Sequence, residues 1–277
     1  MVLRLLVIEG NTLAGRLRIA KWAGATPAES YAAVLRTIAP AAIVDICMPA
    51  DGTGPRRSRS PPTTVWGLPV RRSRSTSAKS SRCGRSISFA KCLRWAFRCS
   101  ARAGGLQLAT VAAGGEVALN PAGREVGFAR KITLSPAGRK HPMHATRDVV
   151  FDAPAIHSDI VTRLPQDSIV TAYNAMSEVQ AAEIRLGRGV FWGVQYHPEY
   201  GLHDVAAVIR RYGQTLLAEG LFSDTAELER HAADLSTLTA NEQRRDIAWR
   251  LGFGDDIMKQ NVRQAELSNW IASLVQT

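Results

Sequence analysis

A histidine and a glutamate separated by a single proline are the residues of this sequence best suited to chemistry. His197 and Glu199 follow an apolar run at residues 190–195 that is predicted to be a strand. Pro198 fixes φ and lacks an N–H, so the strand is expected to stop beside the imidazole. The carboxylate would then lie next to the ring. Such a pair can act as the general base for a thiol or hydroxyl nucleophile.

The same spacing also has a purely structural interpretation. A histidine at the end of a strand, followed two residues later by a solvated glutamate, occurs in many proteins without a catalytic role. The spacing alone therefore leaves both interpretations open.

The apolar runs and turn signals of the first 55 residues predict an α/β fold. Two buried strands alternate there with helical segments, which is typical of a βαβ unit and a parallel sheet. The predicted elements are a strand at 3–8, helices at 14–23 and 30–39, and a strand at 41–47.

The second half of the chain predicts short strands between two helices. These elements are a helix at 106–113, strands at 126–132, 149–151, 168–173, 181–186 and 190–195, and an amphipathic helix at 204–219. The tail from 223 to 277 is predicted to form two or three more helices, with Asp224 or Thr225 as the first cap.

The net charge of +11 comes from one segment of the chain. Residues 56–103 contain 13 Lys or Arg and no Asp or Glu, with Arg/Ser repeats at 56–62 and 71–75. Without this segment, 22 of the 35 basic residues remain against 24 acidic residues, a net charge of −2. The rest of the chain therefore lacks the basic surface of a nucleic-acid-binding protein, and nucleic acid is not expected as its partner.

Length and composition predict a cytoplasmic protein. Its 277 residues suit one α/β domain with an extension or two small domains, and no apolar run is long enough to span a membrane. The apolar N-terminus is too short, and too soon interrupted by charge, for a signal peptide. The four cysteines, Cys47, Cys83, Cys92 and Cys99, lack metal-ligand spacing. We expect no membrane partner, no disulfide framework, no metal and no organic cofactor.

Four short motifs together resemble one enzyme family. Val-Gln-Tyr-His-Pro-Glu at 194–199 resembles the closing motif of class I glutamine amidotransferases, and Ile-His-Ser-Asp at 156–159 resembles the segment that contacts glutamine in that family. Gly-Leu-Gln at 105–107 resembles the end of the nucleophile motif Gly-x-Cys-x-Gly-x-Gln. The stretch at 120–127 also fits the family. The matches cover residues 1–55 and about 104–215, and the glutaminase domains of GMP-synthase type are the most similar.

The resemblance implies a fold and a reaction. The expected fold is flavodoxin-like, a mostly parallel sheet flanked by helices, in a domain of residues 1–220 with a helical C-terminal extension at 221–277. The expected substrate is glutamine, which a Cys-His-Glu triad hydrolyses to glutamate and ammonia. The ammonia would pass to an acceptor, either on a separate synthetase subunit or on a small molecule.

The resemblance also implies roles for individual residues. His197 would be the base and Glu199 would orient it, while the expected substrate-binding residues are Gln107, His157, Ser158 and Asp159. The nucleophile should lie four residues before Gln107, where this chain has Ala103. The family's loop that supplies an oxyanion donor after the third strand is also absent from the sequence. The chain as written is therefore expected to be inactive.

The missing cysteine falls at the end of the basic segment, which suggests a reading-frame offset. Codons that encode residues 98–104 can be chosen so that dropping two bases yields Met-Phe-Gly-Ser-Cys-Trp, which leads into Gly105. The same offset converts residues 61–66 into Ala-Tyr-Asp-Gly-Val and residues 74–78 into Ile-Tyr-Glu-Arg, which resembles the missing loop. We hypothesise two compensating frameshifts, near residues 55 and 104.

The alternative is a genuine basic insertion that binds RNA or phosphates. In that case the protein could act as a basic nucleic-acid-binding protein through its Arg/Ser segment. In the family the nucleophile lies on an elbow between a strand and a helix. Under either hypothesis, we expect a central strand and this elbow helix to be lost from the fold, or to be replaced by residues that are poor strand and helix formers.

Overall fold

The computed structural model describes residues 2–51, 66–67, 98–101 and 103–275. Both Arg/Ser repeats lie outside these residues. The strands are β1 Arg4–Ile8, β2 Ile43–Cys47, β3 Trp66–Gly67, β4 Arg98–Ala101, β5 Glu116–Leu119, β6 Glu125–Leu134, β7 Val150–His157, β8 Asp159–Arg163, β9 Ile169–Asn174, β10 Ser177–Leu186 and β11 Gly189–Val194.

The helices flank these strands and continue to the C-terminal region. They are α1 Leu13–Ala23, α2 Pro27–Ile38, α3 Ala103–Ala112, α4 Leu202–Ala218, α5 Thr225–Ala240, α6 Arg245–Arg250, α7 Asp255–Met258, α8 Gln260–Arg263 and α9 Ala265–Val275. Short 3-10 turns occur at Pro49–Asp51, Gly138–Lys140 and Pro142–His144. The α/β class with a helical C-terminal region, as predicted from the sequence, is confirmed.

Parallel pairing is found in two places. β1 lies between β2 and β3 in a parallel sheet, and β4 pairs in parallel with β11 at the edge of a second sheet of order β4-β11-β10-β9-β6-β7. The other pairs of that second sheet are antiparallel, which differs from the mostly parallel sheet expected. Two-residue connections join β9 to β10 and β10 to β11, and connections this short can only join antiparallel strands.

Local sequence signals account for the helix starts near the first strand. Thr26 and Glu29 form a reciprocal capping box at α2, and Pro27 occupies its first turn. Thr12 caps α1, the helix that follows β1. Asp224 caps α5, which confirms one of the two predicted caps. Of these caps, Thr12 marks where the chain that leaves β1 enters a helix.

A helix, α3, begins at the end of the basic segment, and the short strand before it, β4, lies at the edge of the second sheet. Leu106 and Ala109 of α3 are fully buried, and they pack with Phe191 in a core cluster beneath β11. This apolar face supplies the burial that holds the helix against the sheet, although the segment before it is a poor strand former. For residues 98–101 and 103–112 the structure therefore agrees with the second part of the expectation for the basic segment, replacement by a poor strand former, and not with loss of the elements.

The C-terminal region packs on the main core. Leu267, Trp270 and Ile271 of α9 belong to the same buried cluster as Leu5 and Val7 of β1. Five helical segments occur from α5 to α9, where two or three were predicted, because short turns divide the region into more pieces. Within the described ranges, no helix is both long and apolar enough to cross a membrane.

Two short strands were not predicted from the sequence. β5 and β8 form a separate antiparallel pair in which Leu119 lies opposite Asp159. Most side chains of β5 are exposed or half-buried, so its sequence carries little alternation of apolar and polar residues. This pair positions the segment around Asp159 beside α3.

Candidate active site

The strand that carries His197 ends in a tight turn to a helix. β11 stops at Val194, and the His197 N–H donates to the Pro154 carbonyl at 2.7 Å instead of continuing a ladder. The Tyr200 N–H then donates to the His197 carbonyl at 3.1 Å, and α4 begins at Leu202. Pro198 cannot donate a hydrogen bond, which explains why pairing stops at this point.

His197 and Glu199 are in direct contact at the end of this strand. The distance from His197 Nδ1 to Glu199 Oε1 is 2.8 Å, and both residues are buried. The Tyr200 ring stacks on the imidazole with 4.3 Å between centroids and 11° between planes. A carboxylate on Nδ1 fixes the orientation of the ring and assigns proton transfer to Nε2, the arrangement of an oriented general base.

The start of α3 lies next to the strand that leads to His197. Ala101 is opposite Gly193 in the parallel pairing of β4 with β11, and α3 begins two residues later at Ala103. A side chain at Gly193 would place its Cβ 2.7 Å from Leu106 Cδ1, so the glycine allows the helix to approach the strand closely. β4 thus ends, and α3 begins, where a strand-to-helix elbow was expected from the sequence, and residue 103, at which the motif would place a nucleophile, is alanine.

Gln107 and Asp159 meet beside the His197 strand. Gln107 Nε2 donates to the Asp159 carbonyl at 2.9 Å, and Gln195 Nε2 donates to the same carbonyl at 3.2 Å. Ser158 accepts a bond from the Asn120 N–H at 2.8 Å through its carbonyl. The structure therefore brings the residues of three separate motifs to one place. Gln195 was part of the quoted motif but was not named as a site residue.

The His157 side chain is directed into the protein interior. Its Nε2 lies 2.7 Å from Glu125 Oε2 and its Nδ1 lies 3.2 Å from the Asp159 carbonyl. Since both ring nitrogens face protein oxygens, the ring supports the segment, and a contact with substrate from this residue would have to come from its main chain. Ser158 and Asp159 follow it on the way into β8.

Glu125 is the buried residue whose carboxylate holds the His157 ring. Its carboxylate also accepts bonds from Asn174 Nδ2 and Gln180 Nε2, each at 2.7 Å. Burial alone would raise the pKa of Glu125, but the hydrogen bond and charge of His157, with the two amide donors, hold that pKa below its usual value. Glu125 lies in the quoted stretch 120–127, yet nothing in the sequence indicated that it would bind His157.

A second buried network lies behind the strand end. Tyr196, the neighbour of His197, donates its hydroxyl to Glu266 Oε1 at 2.8 Å, and Arg147 binds both carboxylate oxygens at 2.7 and 2.9 Å. Glu266 lies 70 residues after Tyr196. No local pattern connects the two, so sequence reasoning missed this contact. In the described part of the chain, no cluster of three or more His, Cys, Asp or Glu could hold a metal ion.

This chain is similar to known proteins of one enzyme family. Residues 104–211 match the family described as glutamine amidotransferase class-I. A gamma-glutamyl-L-1-hydroxyisopropylamide hydrolase of Pseudomonas sp. is 34% identical over 278 residues, which span 99% of this chain and 93% of that protein.

Solved structures share the fold at low sequence identity. A glutamine amidotransferase from Thermotoga maritima is similar over the whole of both chains, with a TM-score of 0.66 and 13% identity. A glutamine amido transferase from Methylobacillus flagellatus has a TM-score of 0.55 and 12% identity over 98% of this chain and 95% of that one. The flavodoxin-like α/β fold expected from the motifs is thereby confirmed, apart from the antiparallel pairs of the second sheet. The match to the family model begins at residue 104, where the basic segment ends.

Proposed function

Because this chain belongs to the class I glutamine amidotransferase family, we propose that its fold is built to hydrolyse the amide of a γ-glutamyl compound, with glutamine as the simplest substrate. The observation that carries this proposal is the 2.8 Å contact between His197 Nδ1 and Glu199 Oε1, on the strand next to the elbow. In the proposed reaction His197 is the general base and Glu199 orients it.

The proposed reaction proceeds through a thioester. A cysteine thiolate at the elbow attacks the amide carbon, and the thiol proton passes through His197 to the departing ammonia or amine. Water, deprotonated by the same imidazole, then attacks the thioester and releases glutamate and the free thiol. A helix N-terminus favours the thiolate, and its backbone N–H groups can stabilise the oxyanion.

Alanine at position 103 cannot perform the first step of this reaction. We therefore propose that the chain as written does not turn over γ-glutamyl amides. The buried contact of His197 with Glu199 is formed regardless, as is the contact of Gln107 with Asp159. The substrate-binding role of Gln107, Ser158 and Asp159, with His157 acting through its main chain, is part of the proposal.

We attribute the missing nucleophile to an offset reading frame in segment 56–103. The end of β4 at Ala101 and the start of α3 at Ala103 support this origin, because a strand followed by a helix is the setting expected for the cysteine that the written sequence lacks. The start of the family match at residue 104 supports it as well. The base sequence that encodes residues 55–104 tests the hypothesis directly.

Hydrolysis with release to water is the outcome we favour over transfer of ammonia. The Pseudomonas relative is named as a hydrolase of an N-substituted γ-glutamyl amide, and it matches 99% of this chain, including the C-terminal helices. An alkylamide of glutamate is therefore a second substrate class beside glutamine. Ammonia transfer to a synthetase subunit or to a small-molecule acceptor is the alternative outcome.

A glutamate-release assay tests the proposed function. The written chain is compared with a chain whose residues 56–103 are translated in the offset frame, using glutamine and γ-glutamyl-isopropylamide as separate substrates. We expect release only from the offset-frame chain, and we expect its His197→Gln variant to lose at least about a hundredfold in kcat. Turnover by the written chain, or a folded offset-frame chain without turnover of either substrate, would contradict the proposal.

The basic segment favours a second candidate function, binding to nucleic acid. Its 13 basic residues without an acidic one are the observation behind this alternative. If it holds, retention of the written chain on RNA or DNA should fall steeply as salt rises, because phosphate contacts release counterions. Retention that does not depend on salt would exclude it.

A further inference from the structure

The hydroxyl of Tyr196 connects the strand end that carries His197 to the C-terminal helix α9. Tyr196 is fully buried and donates to Glu266 Oε1 at 2.8 Å. Its ring also packs edge-on against Phe151, with 5.7 Å between centroids. Tyr196 and His197 follow the end of β11, and their side chains have separate partners: the Tyr196 hydroxyl bonds to Glu266, and the His197 ring bonds to Glu199.

Glu266 is itself held rigidly, so it can serve as an anchor. Arg147 binds it through two parallel hydrogen bonds and also donates to the Arg263 carbonyl at 2.9 Å. Burial would raise the pKa of Glu266, but the charge and hydrogen bonds of Arg147, with His144 Nδ1 3.7 Å away, lower that pKa to about 2, so the carboxylate stays ionised. Burial and the charge of Glu266 raise the pKa of Tyr196, which keeps the phenol protonated as the donor.

We propose that Tyr196 and Glu266 are positioning residues for His197, and that the C-terminal helix thereby forms part of the active-site framework. This inference rests on the proposed role of His197 as the general base. The His197 backbone is fixed on one side by the Pro154 carbonyl at 2.7 Å. The hydrogen bond from Tyr196 to Glu266 fixes the residue before His197. Together, the two hydrogen bonds set the position of the imidazole relative to Glu199.

The chain offers a matched pair of variants on the same helix. Tyr196→Phe removes one hydroxyl and leaves the ring packing and the Arg147–Glu266 pair in place. Asn269→Ala removes a different link between α9 and the core, since Asn269 Nδ2 donates to the Met143 carbonyl at 3.0 Å and does not touch Tyr196. Glu266→Gln is less informative, because it would leave Arg147 as a buried cation without its counter-ion.

The experiment is solution NMR on the full written chain with 15N-labelled histidine. The Nδ1–H proton that His197 shares with Glu199 is assigned by its absence in His197→Gln. We expect its exchange with water to become about tenfold faster in Tyr196→Phe, as for loss of one stabilising hydrogen bond, and to stay unchanged in Asn269→Ala.

Each outcome of this comparison has a defined meaning. Equal exchange rates in Tyr196→Phe and Asn269→Ala, with similar losses of thermal stability, would show that Tyr196 is only a structural residue and would overturn the inference. Because the NMR signal requires no turnover, it is independent of the glutamate-release assay. An offset-frame chain without activity would refute the proposed function even if the NMR result agreed with the positioning role.

Discussion

Ala101 lies opposite Gly193 in the parallel pairing of β4 with β11. Because the two strands run in the same direction, their C-terminal ends, at Ala101 and Val194, lie at the same end of the sheet. A nucleophile at position 103 and a base at His197 would therefore be neighbours. This relationship between backbones is independent of the side chain at position 103.

A cysteine introduced at the elbow should be unusually reactive. In Ala103→Cys, we expect the thiol to react with iodoacetamide on the order of tenfold faster than free cysteine at pH 7, because a helix N-terminus and a nearby imidazole favour the thiolate. The rate is measured by mass spectrometry of the peptide that contains the new cysteine. Buried Cys47, whose pKa is raised by burial, provides an internal control that should react slowly.

The reactivity of that thiol should depend on His197. Adding His197→Gln to Ala103→Cys should return the alkylation rate to that of ordinary cysteine. An unchanged rate would mean that the imidazole does not reach position 103. We expect no glutamate release from Ala103→Cys alone, because the family's oxyanion loop is also missing from the sequence.

Removing the charge of Glu125 should destabilise the support beneath Asp159. Glu125→Gln places an amide where His157, Asn174 and Gln180 all direct donors, so we expect a loss of about 2–4 kcal/mol in the free energy of unfolding. Urea denaturation measures this loss. Glu116→Gln, which breaks an exposed pair with Arg163, should cost less than about 1 kcal/mol. Equal effects would contradict the role assigned to Glu125.

Stability should fall in acid through Glu266. Its pKa in the folded state is lowered from 4.5 to about 2, so its contribution is fully present above pH 4.5 and is lost as pH falls toward 2. The contribution is about 3 kcal/mol for a shift of this size. Urea midpoints between pH 6 and pH 2.5 measure it, and Glu266→Gln should have a shallower slope than the parent chain. An equal slope in both proteins would refute the assignment.

Two tryptophans of the C-terminal region should differ strongly in their effect on stability. Trp270 is 2% exposed within the main core and Trp249 is 88% exposed. We expect Trp270→Ala to cost about 3–5 kcal/mol and Trp249→Ala less than about 0.5 kcal/mol, measured by urea denaturation. If both variants were equally stable, α9 would not be part of the core. The predicted domain boundary at residue 220 could then be used to separate the extension.

What the sequence could predict depends on the distance between partners along the chain. His197 and Glu199 are two residues apart, so their contact followed from the strand end at Pro198. Gln107 and Asp159 could be placed together only through their resemblance to motifs that meet in the family. The contact of Tyr196 with Glu266 joins residues 70 positions apart and left no local signal.

Strand pairing was also hard to predict from local sequence. β5 is half-exposed and short, so its alternation of apolar residues was too weak to predict. A strand in the basic segment was expected to be lost or replaced by a poor strand former, and β4 forms through its pairing with β11 and the burial of Leu106 in the helix that follows. Packing between distant elements decided both cases, and packing is not visible in a local window of sequence.

We propose that the nucleophile of this class I amidotransferase was lost through a reading-frame offset in segment 56–103. The measurement that tests it most directly is the base sequence of the DNA that encodes residues 55–104. We expect an uninterrupted frame, offset by two bases, that encodes Gly-Ser-Cys-Trp immediately before Gly105. A stop codon in that frame, or any residue other than cysteine in register with Ala103, would contradict it.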